Sequence, residues 1–329
     1  MPGTLVLATI EQGGLTRNAL ELLAGANKLK AKLGEPVGAA VLGNALGARA
    51  QLPFAYGADQ VYLAEHALLE RYQGDAYALA MHEISKRARP NVILLPGDSM
   101  GRELAPRLAH RLKAGYVTEF IDFDLDAVTG RILFTRQVYG GKAMAVMQPM
   151  AYPVVATVKL RMIDPARKEE GRTGEEIRID VPLDVSQLKT RLLEMVHEEL
   201  TGVKLEDARI VVSGGRGLRG PEGFKVLEEL ARVLNGAVGA SRAATDAGWV
   251  PPSWQVGQTG KSVSPDLYLA FGISGATQHV AGISGAKNIV AINTDPEAPI
   301  YKVAQLGVVA DWKALATKLI ETCREMTGR

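Results

Sequence analysis

The sequence predicts an α/β protein built from two domains. Its 329 residues are enough for two compact domains, and a composition of 47% hydrophobic and 22% charged residues is typical of globular proteins. Short apolar runs alternate with amphipathic stretches, and this alternation restarts after about residue 195. We therefore expect an N-terminal α/β domain over residues 1–195 and a C-terminal α/β domain over residues 196–329.

The N-terminal half begins with strands and helices in turn. Apolar runs predict buried strands at Thr4–Thr9, Val37–Leu42, Gln60–Leu63 and Asn91–Leu95. Apolar residues at helical spacing predict helices over Leu15–Leu33, Ala76–Arg87 and Arg102–Leu112, the first of them ended by Gly34 and Pro36. This alternation indicates a mainly parallel sheet covered by helices on both faces.

The pattern changes after Tyr116. Strands joined by short turns are predicted at Ile121–Leu125, Arg131–Tyr139, Ala143–Met147 and Pro153–Val158, with one turn at Thr129-Gly130. We expect them to form an antiparallel extension of the first sheet. The charged stretch Arg161–Glu176 is typical of a solvated surface loop, and Leu193–Leu205 is typical of a short helix and linker.

The C-terminal half predicts a Rossmann-like domain. Strands are expected at Arg209–Val212, Leu267–Phe271, Asn288–Ile292 and Gly307–Val309. Helices are expected at Pro221–Leu234, Gln278–Gly282 and Asp311–Met326, and Asp311 is a suitable N-cap for the last of them. Ligands of open α/β sheets bind at the carboxyl ends of the strands, so the residues that follow each predicted strand are candidates for a binding site.

Composition excludes several classes of protein. The net charge is only +2, from 38 basic and 36 acidic residues, which argues against a nucleic-acid partner. No apolar run approaches the ~18 residues of a membrane helix, and Cys323 is the only cysteine, so no internal disulfide can form. The chain enters its first strand without a targeting pattern, and we expect it to be cytoplasmic without membrane insertion.

The first motif is a glycine-rich turn between a predicted strand and a predicted helix. Gly215, Gly217 and Gly220 satisfy G-x-G-x-x-G, which allows close backbone approach to a dinucleotide pyrophosphate. Arg216 and Arg219 inside the pattern are unusual for such a site. A turn that binds no ligand is an equally good interpretation of these residues alone.

The second motif, Gly257–Ser262, resembles the end of a phosphate-binding P-loop. Gln255 stands where the complete pattern needs glycine, so a nucleoside-triphosphate site is not expected. The stretch remains a loop with many free backbone donors, suited to an anion or to the polar edge of a ring.

Three further polar groups follow predicted strands or turns of the same half. They are Ser241-Arg242, Gln278-His279 and Asn293. Taken singly, each has an ordinary interpretation: a solvated pair, a structural histidine and a strand end. The other histidines, His66, His82, His110 and His197, are scattered without metal-ligand spacing, so no metal site is expected. No nucleophile motif is present.

Together, in this order, these pieces resemble the alpha subunit of electron transfer flavoproteins. The resemblance is carried by L-Y-L-A, G-I-S-G, Q-H and A-I-N within Leu267–Asn293. It extends to VVSGGRG, GASRA, VGQTGK and DPEAPI, and so covers most of residues 210–311. Thr277 departs from the signature, where an aliphatic residue is expected.

The resemblance implies that the C-terminal domain binds FAD. The implied FAD-contacting residues are Arg216, Ser241, Arg242, Val256, Gly257, Gln258, Thr259, Gly260, Ser274, Gly275, Ala276, Thr277, Gln278, His279, Asn293 and Asp311, with Lys261 as a further candidate.

The implied roles agree with the chemistry of flavins. Reduced flavin carries negative charge near N1 and the C2 carbonyl, which a donor such as His279 would stabilise. A cation at about 4 Å would raise the potential by more than roughly 100 mV, and Arg242 can supply one. Thr259 would bond flavin N5, while Ser241, Ser274 and backbone amides would hold the pyrophosphate.

The resemblance also implies partners and a role. A beta subunit carrying AMP or a second FAD would complete a heterodimer, with the N-terminal domain at the subunit interface. Dehydrogenases, such as the acyl-CoA dehydrogenases of fatty acid oxidation, would donate electrons, and a membrane quinone oxidoreductase would accept them. The chain would then be an electron carrier without a substrate site of its own.

Two other functions compete with this expectation. One is a dehydrogenase that binds NAD(P) at residues 215–220, although no convincing substrate acid or base is found. The other is a nucleotide-binding regulatory module without a redox role.

Overall fold

The computed structural model describes residues 3–11, 13–141, 143–190, 192–194 and 203–327. It divides the chain into two compact units. Unit 1 comprises Met1–Val138 and Met144–Met195, and unit 2 comprises Tyr139–Ala143 and Val196–Arg329. Both units are α/β, which confirms the predicted fold class. The expected boundary near residue 195 lies outside the described residues, as does most of the helix expected at Leu193–Leu205, whose described ends are not helical.

Unit 1 is organised around a nine-stranded sheet with the order β11-β5-β4-β1-β6-β10-β7-β8-β9, beside a small β2–β3 hairpin. The strands are β1 (Thr4–Leu7), β2 (Ile10–Glu11), β3 (Gly14–Leu15), β4 (Val37–Gly43), β5 (Gln60–Glu65), β6 (Val92–Pro96), β7 (Gly115–Leu125), β8 (Ile132–Val138), β9 (Ala143–Met147), β10 (Val154–Val158) and β11 (Glu175–Arg178). The helices are α1 (Arg17–Leu33), α2 (Gly74–Ala88) and α3 (Ser99–Leu112).

Helices cover both faces of this sheet, as the buried apolar strands require. Residues of α1 pack with Val6 and Leu94 on one face, whereas α2 and α3 pack with Leu7 and Leu95 on the other. Helix α1 begins at the N-cap Thr16, whose hydroxyl accepts a hydrogen bond from the amide of Ala19 at 3.2 Å. It ends, as expected, at Gly34 in the left-handed conformation (φ 72°).

The expected antiparallel extension is correct only in part. Strands β7 and β8 pair antiparallel, but β10 lies between β6 and β7 and is parallel to both. The reason is visible in the residues of β10, Val154–Val158, which are all buried. Such a continuous apolar run fits a central strand covered on both faces, whereas an extension open to solvent on one face would alternate.

The charged stretch at Arg161–Glu176 is a loop for most of its length but ends in an edge strand. Strand β11 begins at Glu175 and pairs parallel with β5. The loop is held to the body of unit 1 by Arg172, which contacts the Asp59 carboxylate at 3.1 Å. Lys30 lies 2.6 Å from the same carboxylate.

Unit 2 contains a five-stranded, all-parallel sheet with the order β13-β12-β14-β15-β16. The strands are β12 (Ile210–Gly214), β13 (Ala237–Ala240), β14 (Leu267–Phe271), β15 (Ile289–Asn293) and β16 (Leu306–Val309). The helices are α4 (Glu222–Val233), α5 (Arg242–Asp246), α6 (Thr277–Ile283) and α7 (Trp312–Thr327). The order reverses between β12 and β14, which is the switch point where doubly wound sheets bind ligands.

Two elements of unit 2 were not expected. Strand β13 consists of Ala237–Ala240, whose small residues and glycine give little strand signal. The pair Ser241-Arg242 follows this strand directly: Ser241 is the N-cap of the short helix α5, and Arg242 is its first residue. In both units, 3₁₀ helices of three to ten residues lie at Gly47–Tyr56, Ala67–Leu69, Tyr139–Gly141, Val185–Gln187, Arg216–Leu218, Pro252–Trp254 and Pro299–Lys302.

Among the described residues, no helix is both long enough and apolar enough to cross a bilayer.

Candidate functional site

A cleft of about 600 Å³ opens at the carboxyl ends of the strands of unit 2. Loops that follow β12, β13, β14 and β15 all contribute to it, as expected for a site at the switch point. Most of the residues singled out in the sequence line it: Arg216, Ser241, Arg242, Val256, Gly257, Gln258, Thr259, Ser274, Ala276, Gln278, His279 and Asn293. The volume lies within the ~300–1,000 Å³ typical of cofactor sites.

Four expected residues do not line the cleft. A side chain at Gly260 would meet the carbonyl oxygen of Gln255 at 2.4 Å, and one at Gly275 would meet the amide of Ile300 at 2.3 Å, so both glycines allow tight backbone packing. Thr277 begins α6 and is exposed. Asp311 accepts a hydrogen bond from the amide of Lys313 at 2.9 Å and so caps α7, the other role expected for it.

Lys261, the additional candidate, also lies outside the cleft lining. Its ammonium is 2.9 Å from the carboxylate of Glu206. The structure therefore gives Lys261 a partner within the protein.

The glycines at 215 and 217 are explained by contact between two turns. The amide of Gly215 donates to Phe271 O at 2.9 Å, and that of Gly217 donates to Gly272 O at 3.0 Å. A Cβ on Gly217 would lie 2.7 Å from Gly272 Cα, and Gly272 itself has φ +61°. The turns after β12 and β14 thus cross backbone on backbone, which only glycine permits here.

A second close approach fastens the loop at residues 256–261 to helix α6. The amide of Gln258 donates to Gln278 O at 2.8 Å, and the amide of Val263 donates to Gly282 O at 2.8 Å. A Cβ on Gly282 would lie 2.5 Å from Gly257 Cα. The loop that carries Thr259 and the helix that carries His279 are therefore held together as one wall of the cleft.

His279 is the most deeply buried polar side chain of the cleft, with 7% of its surface exposed. Its Nε2 lies 2.9 Å from the hydroxyl of Tyr268, while its Nδ1 is buried without a hydrogen bond of normal geometry. Burial lowers the pKa of His279 to about 4, and the nearby backbone of Val256 acts in the opposite direction without cancelling this effect. The imidazole is consequently neutral at physiological pH, so it acts as a hydrogen-bonding group and not as a cation.

This burial gives His279 a measurable effect on stability. The unfolded pKa is about 6.5 and the folded pKa is lower, so the unfolded state binds more protons between these values. We expect the free energy of unfolding to fall as the pH decreases from about 6.5 to about 4, with this group contributing about 3 kcal/mol at most.

Chemical denaturation of the wild type and of His279→Gln across this pH range provides the test. In His279→Gln, the free energy of unfolding should lose the pH-dependent contribution of the imidazole and keep that of the carboxylates. Identical pH profiles would contradict a buried neutral imidazole.

The cations of the cleft are arginines. Arg242 pairs with Asp246 across one turn of α5 at 3.2 Å, and both side chains are largely exposed. Arg216 is exposed on the turn after β12 and has no acidic partner among the described residues of the chain. The cleft therefore offers one paired and one unpaired guanidinium, which suits a ligand with anionic groups.

Asn293 connects two of the strand ends. Its side-chain amide donates to Ile273 O at 3.1 Å, and its Oδ1 accepts from the amide of Asp295 at 3.1 Å. The hydroxyl of Tyr301 donates to Asn293 O at 2.9 Å. The turn after β14 and the loop after β15 are thus fixed relative to each other at the rim of the cleft.

Several residues of the site were missed in the sequence. Gln255 lines the cleft, donates to Thr259 Oγ1 at 3.0 Å and accepts from Thr245 Oγ1 at 2.9 Å. Asp246 and Asp295 also line it, and Tyr268 supports His279 from the interior. Only Asp246 carried a usable signal, its spacing of four residues from Arg242.

Two family models match the chain, one over most of unit 1 and one within unit 2. Residues 4–184 match the family model described as electron transfer flavoprotein domain, and residues 204–284 match the electron transfer flavoprotein FAD-binding domain. The "Electron transfer flavoprotein subunit alpha" of Thermoanaerobacterium thermosaccharolyticum is 42% identical, covering 98% of this chain and 97% of the relative.

Two further relatives extend the comparison. The protein of the same name in Bacillus subtilis is 39% identical, covering 98% of this chain and 97% of the relative. "Protein FixB" of Clostridium saccharobutylicum is 37% identical, covering 98% of this chain and 97% of the relative. The similarity therefore extends over both units.

Proposed function

Because the chain belongs to the electron transfer flavoprotein alpha-subunit family, we propose that it is the FAD-carrying subunit of an electron shuttle. The cofactor of the family is FAD. In this proposal the chain has no substrate site of its own and passes electrons between proteins.

The residues of the cleft fit this cofactor. The observation that carries the proposal is His279, a buried side chain of the cleft whose Nδ1 makes no hydrogen bond of normal geometry among the described residues and is available to a ligand. Arg216 and the hydroxyls of Ser241 and Ser274, which all line the cleft, supply an environment for a pyrophosphate. The chain therefore combines a neutral donor deep in the cleft with a cation and hydroxyl donors nearer its rim.

Each group has a proposed task. Ser241 and Ser274 hold the pyrophosphate, and Asn293 binds the ribose or adenine. Thr259 bonds flavin N5 and is oriented by Gln255. His279 donates to the N1 and C2-carbonyl edge of the flavin.

Arg242 supplies the positive charge that the neutral His279 does not. The redox chemistry itself, acceptance and release of one or two electrons, is supplied by FAD when it is bound. The chain binds and orients the cofactor and sets the energy of its added negative charge.

The proposed partners follow from the family. A smaller beta subunit, with AMP or a second FAD, forms a heterodimer with this chain. Acyl-CoA dehydrogenases or similar enzymes donate electrons, as in fatty acid oxidation, and a membrane quinone oxidoreductase accepts them.

An absorption spectrum of the chain co-expressed with its beta partner, followed by stepwise reduction, tests this proposal. One FAD per heterodimer is expected for a simple carrier, whereas two would indicate an electron-bifurcating relative. Absence of flavin together with NAD(P)H binding would overturn the proposal in favour of a dehydrogenase.

The competing dinucleotide site at residues 215–220 makes a different prediction for Gly220. A Cβ on Gly220 would meet nothing within 4 Å, and α4 begins only at Glu222, so the third glycine of the pattern does not pack a helix against the strand. We therefore expect Gly220→Ala to leave FAD content unchanged and to shift stability by less than about 1 kcal/mol. A fall in FAD content in this variant, measured by the flavin-to-protein absorbance ratio, would instead show that the third glycine of the pattern takes part in nucleotide binding.

A further inference from the structure

Tyr268 lies directly behind His279, inside the core of unit 2. It belongs to β14, is completely buried, and its hydroxyl lies 2.9 Å from His279 Nε2. The hydroxyl of Ser213 on the neighbouring β12 approaches Tyr268 without reaching normal hydrogen-bond geometry. Among the described residues, His279 is therefore the one hydrogen-bond partner of normal geometry for this phenol.

The direction of this hydrogen bond follows from the protonation of both groups. Burial raises the pKa of Tyr268, so its hydroxyl keeps its hydrogen, and burial keeps the imidazole neutral. A neutral imidazole has one donor nitrogen and one acceptor nitrogen. If Nε2 were the donor, the phenolic hydrogen would be buried without an acceptor of good geometry, which is unfavourable.

We propose that Tyr268 is a positioning residue that donates to Nε2 and thereby holds His279 as the Nδ1–H tautomer. The hydrogen bond made by one ring nitrogen decides which nitrogen carries the proton. Nδ1, which makes no hydrogen bond of normal geometry among the described residues, is then a donor for a ligand in the cleft. The identity of that ligand as flavin rests on the proposed function.

Loss of the phenolic hydroxyl would make the interaction of Nδ1 with added negative charge unfavourable instead of favourable. Without it, Nε2 is free to carry the proton, and Nδ1 becomes an acceptor. An acceptor lone pair opposes added negative charge where a donor stabilises it. Tyr268 thus controls the reduction potential although it does not line the cleft.

The test compares Tyr268→Phe with Tyr77→Phe in the full chain. Tyr77 is a matched control, since it is also a buried tyrosine, lies in unit 1, and its hydroxyl donates to Leu69 O. Nitrogen-15 NMR of labelled histidine rings reports the tautomer, with the His279 signals assigned by their loss in His279→Gln. Spectroelectrochemistry of the flavin reports the potential for the first electron.

In the wild type we expect protonated Nδ1 and unprotonated Nε2. In Tyr268→Phe the Nε2–H form should appear, and the equilibrium constant for adding the first electron should fall about tenfold, or about 60 mV. Tyr77→Phe should change neither quantity.

Wild-type protein with protonated Nε2 would overturn the inference, and this measurement does not depend on any variant folding. An unchanged tautomer in Tyr268→Phe would overturn it as well. A changed tautomer with normal FAD content and an unchanged potential would refute the link to the flavin. A wild-type Nδ1–H tautomer that changes in Tyr268→Phe, in a chain that binds no flavin, would support the positioning role while refuting the proposed function.

Discussion

Alanine at Gly272 is expected to destabilise unit 2 by about 2–5 kcal/mol and to reduce FAD retention in parallel. Gly272 has φ +61°, where a side chain costs about 1–2 kcal/mol. Its Cβ would also lie 2.8 Å from Gly217 Cα and 2.9 Å from Gly217 C, so backbone must move, at a further cost of about 1–3 kcal/mol. Both turns that border the cleft would be displaced.

Gly248→Ala separates the two contributions to this effect. Gly248 also has a positive φ, +71°, but a Cβ there would meet nothing within 4 Å. It should cost about 1–2 kcal/mol and leave FAD content unchanged. Thermal unfolding and the flavin-to-protein ratio of both variants are the measurements, and equal effects would show that the crossing of the turns contributes nothing.

Replacing His279 with alanine is expected to lower the potential for the first electron by about 60 mV or more. The change removes the Nδ1 donor, and a hydrogen bond worth about 1.4 kcal/mol corresponds to this shift for one electron. The affinity for FAD should fall less, because many other groups of the cleft also hold the cofactor.

His279→Gln is the matched control, since its amide keeps a neutral donor of similar reach. It should shift the potential less than alanine does. Spectroelectrochemical titration and the dissociation constant of FAD separate the two effects, and a potential equal to that of the wild type in His279→Ala would refute the assigned role.

The elements with strong local signals were predictable from the sequence. Helix α1 has a cap, an apolar stripe and a terminal glycine, and Leu267–Phe271 is a continuous apolar run. Strand β10 was placed incorrectly because its neighbours in the sequence are strands joined by turns, and its insertion between β6 and β7 depends on pairing with Val92–Pro96, far away in the chain. Local patterns do not contain such non-local pairing.

The candidate site was predictable where it depends on distinctive residues after strands. Arg216, Ser241, Thr259 and His279 all line one cleft. What the sequence did not disclose is how these residues are supported. Gln255 carries no motif, and Tyr268 was indistinguishable from an ordinary apolar strand residue until its hydroxyl was found beside Nε2.

The charge state of His279 was likewise hidden in the sequence. A histidine near an anionic ligand can be a cation, and only the burial of the imidazole shows that it is neutral. In the proposed function, the larger electrostatic contribution of a cation is therefore assigned to Arg242 and not to His279.

A neutral, buried imidazole also bears on how fast a carrier can work in both directions. A dipole that is already oriented needs no rearrangement when charge arrives beside it. Since burial lowers the pKa of His279 to about 4, the imidazole is neutral before an electron arrives, and no proton has to leave it first. We therefore expect electron passage through the protein to show no solvent isotope effect that originates at His279.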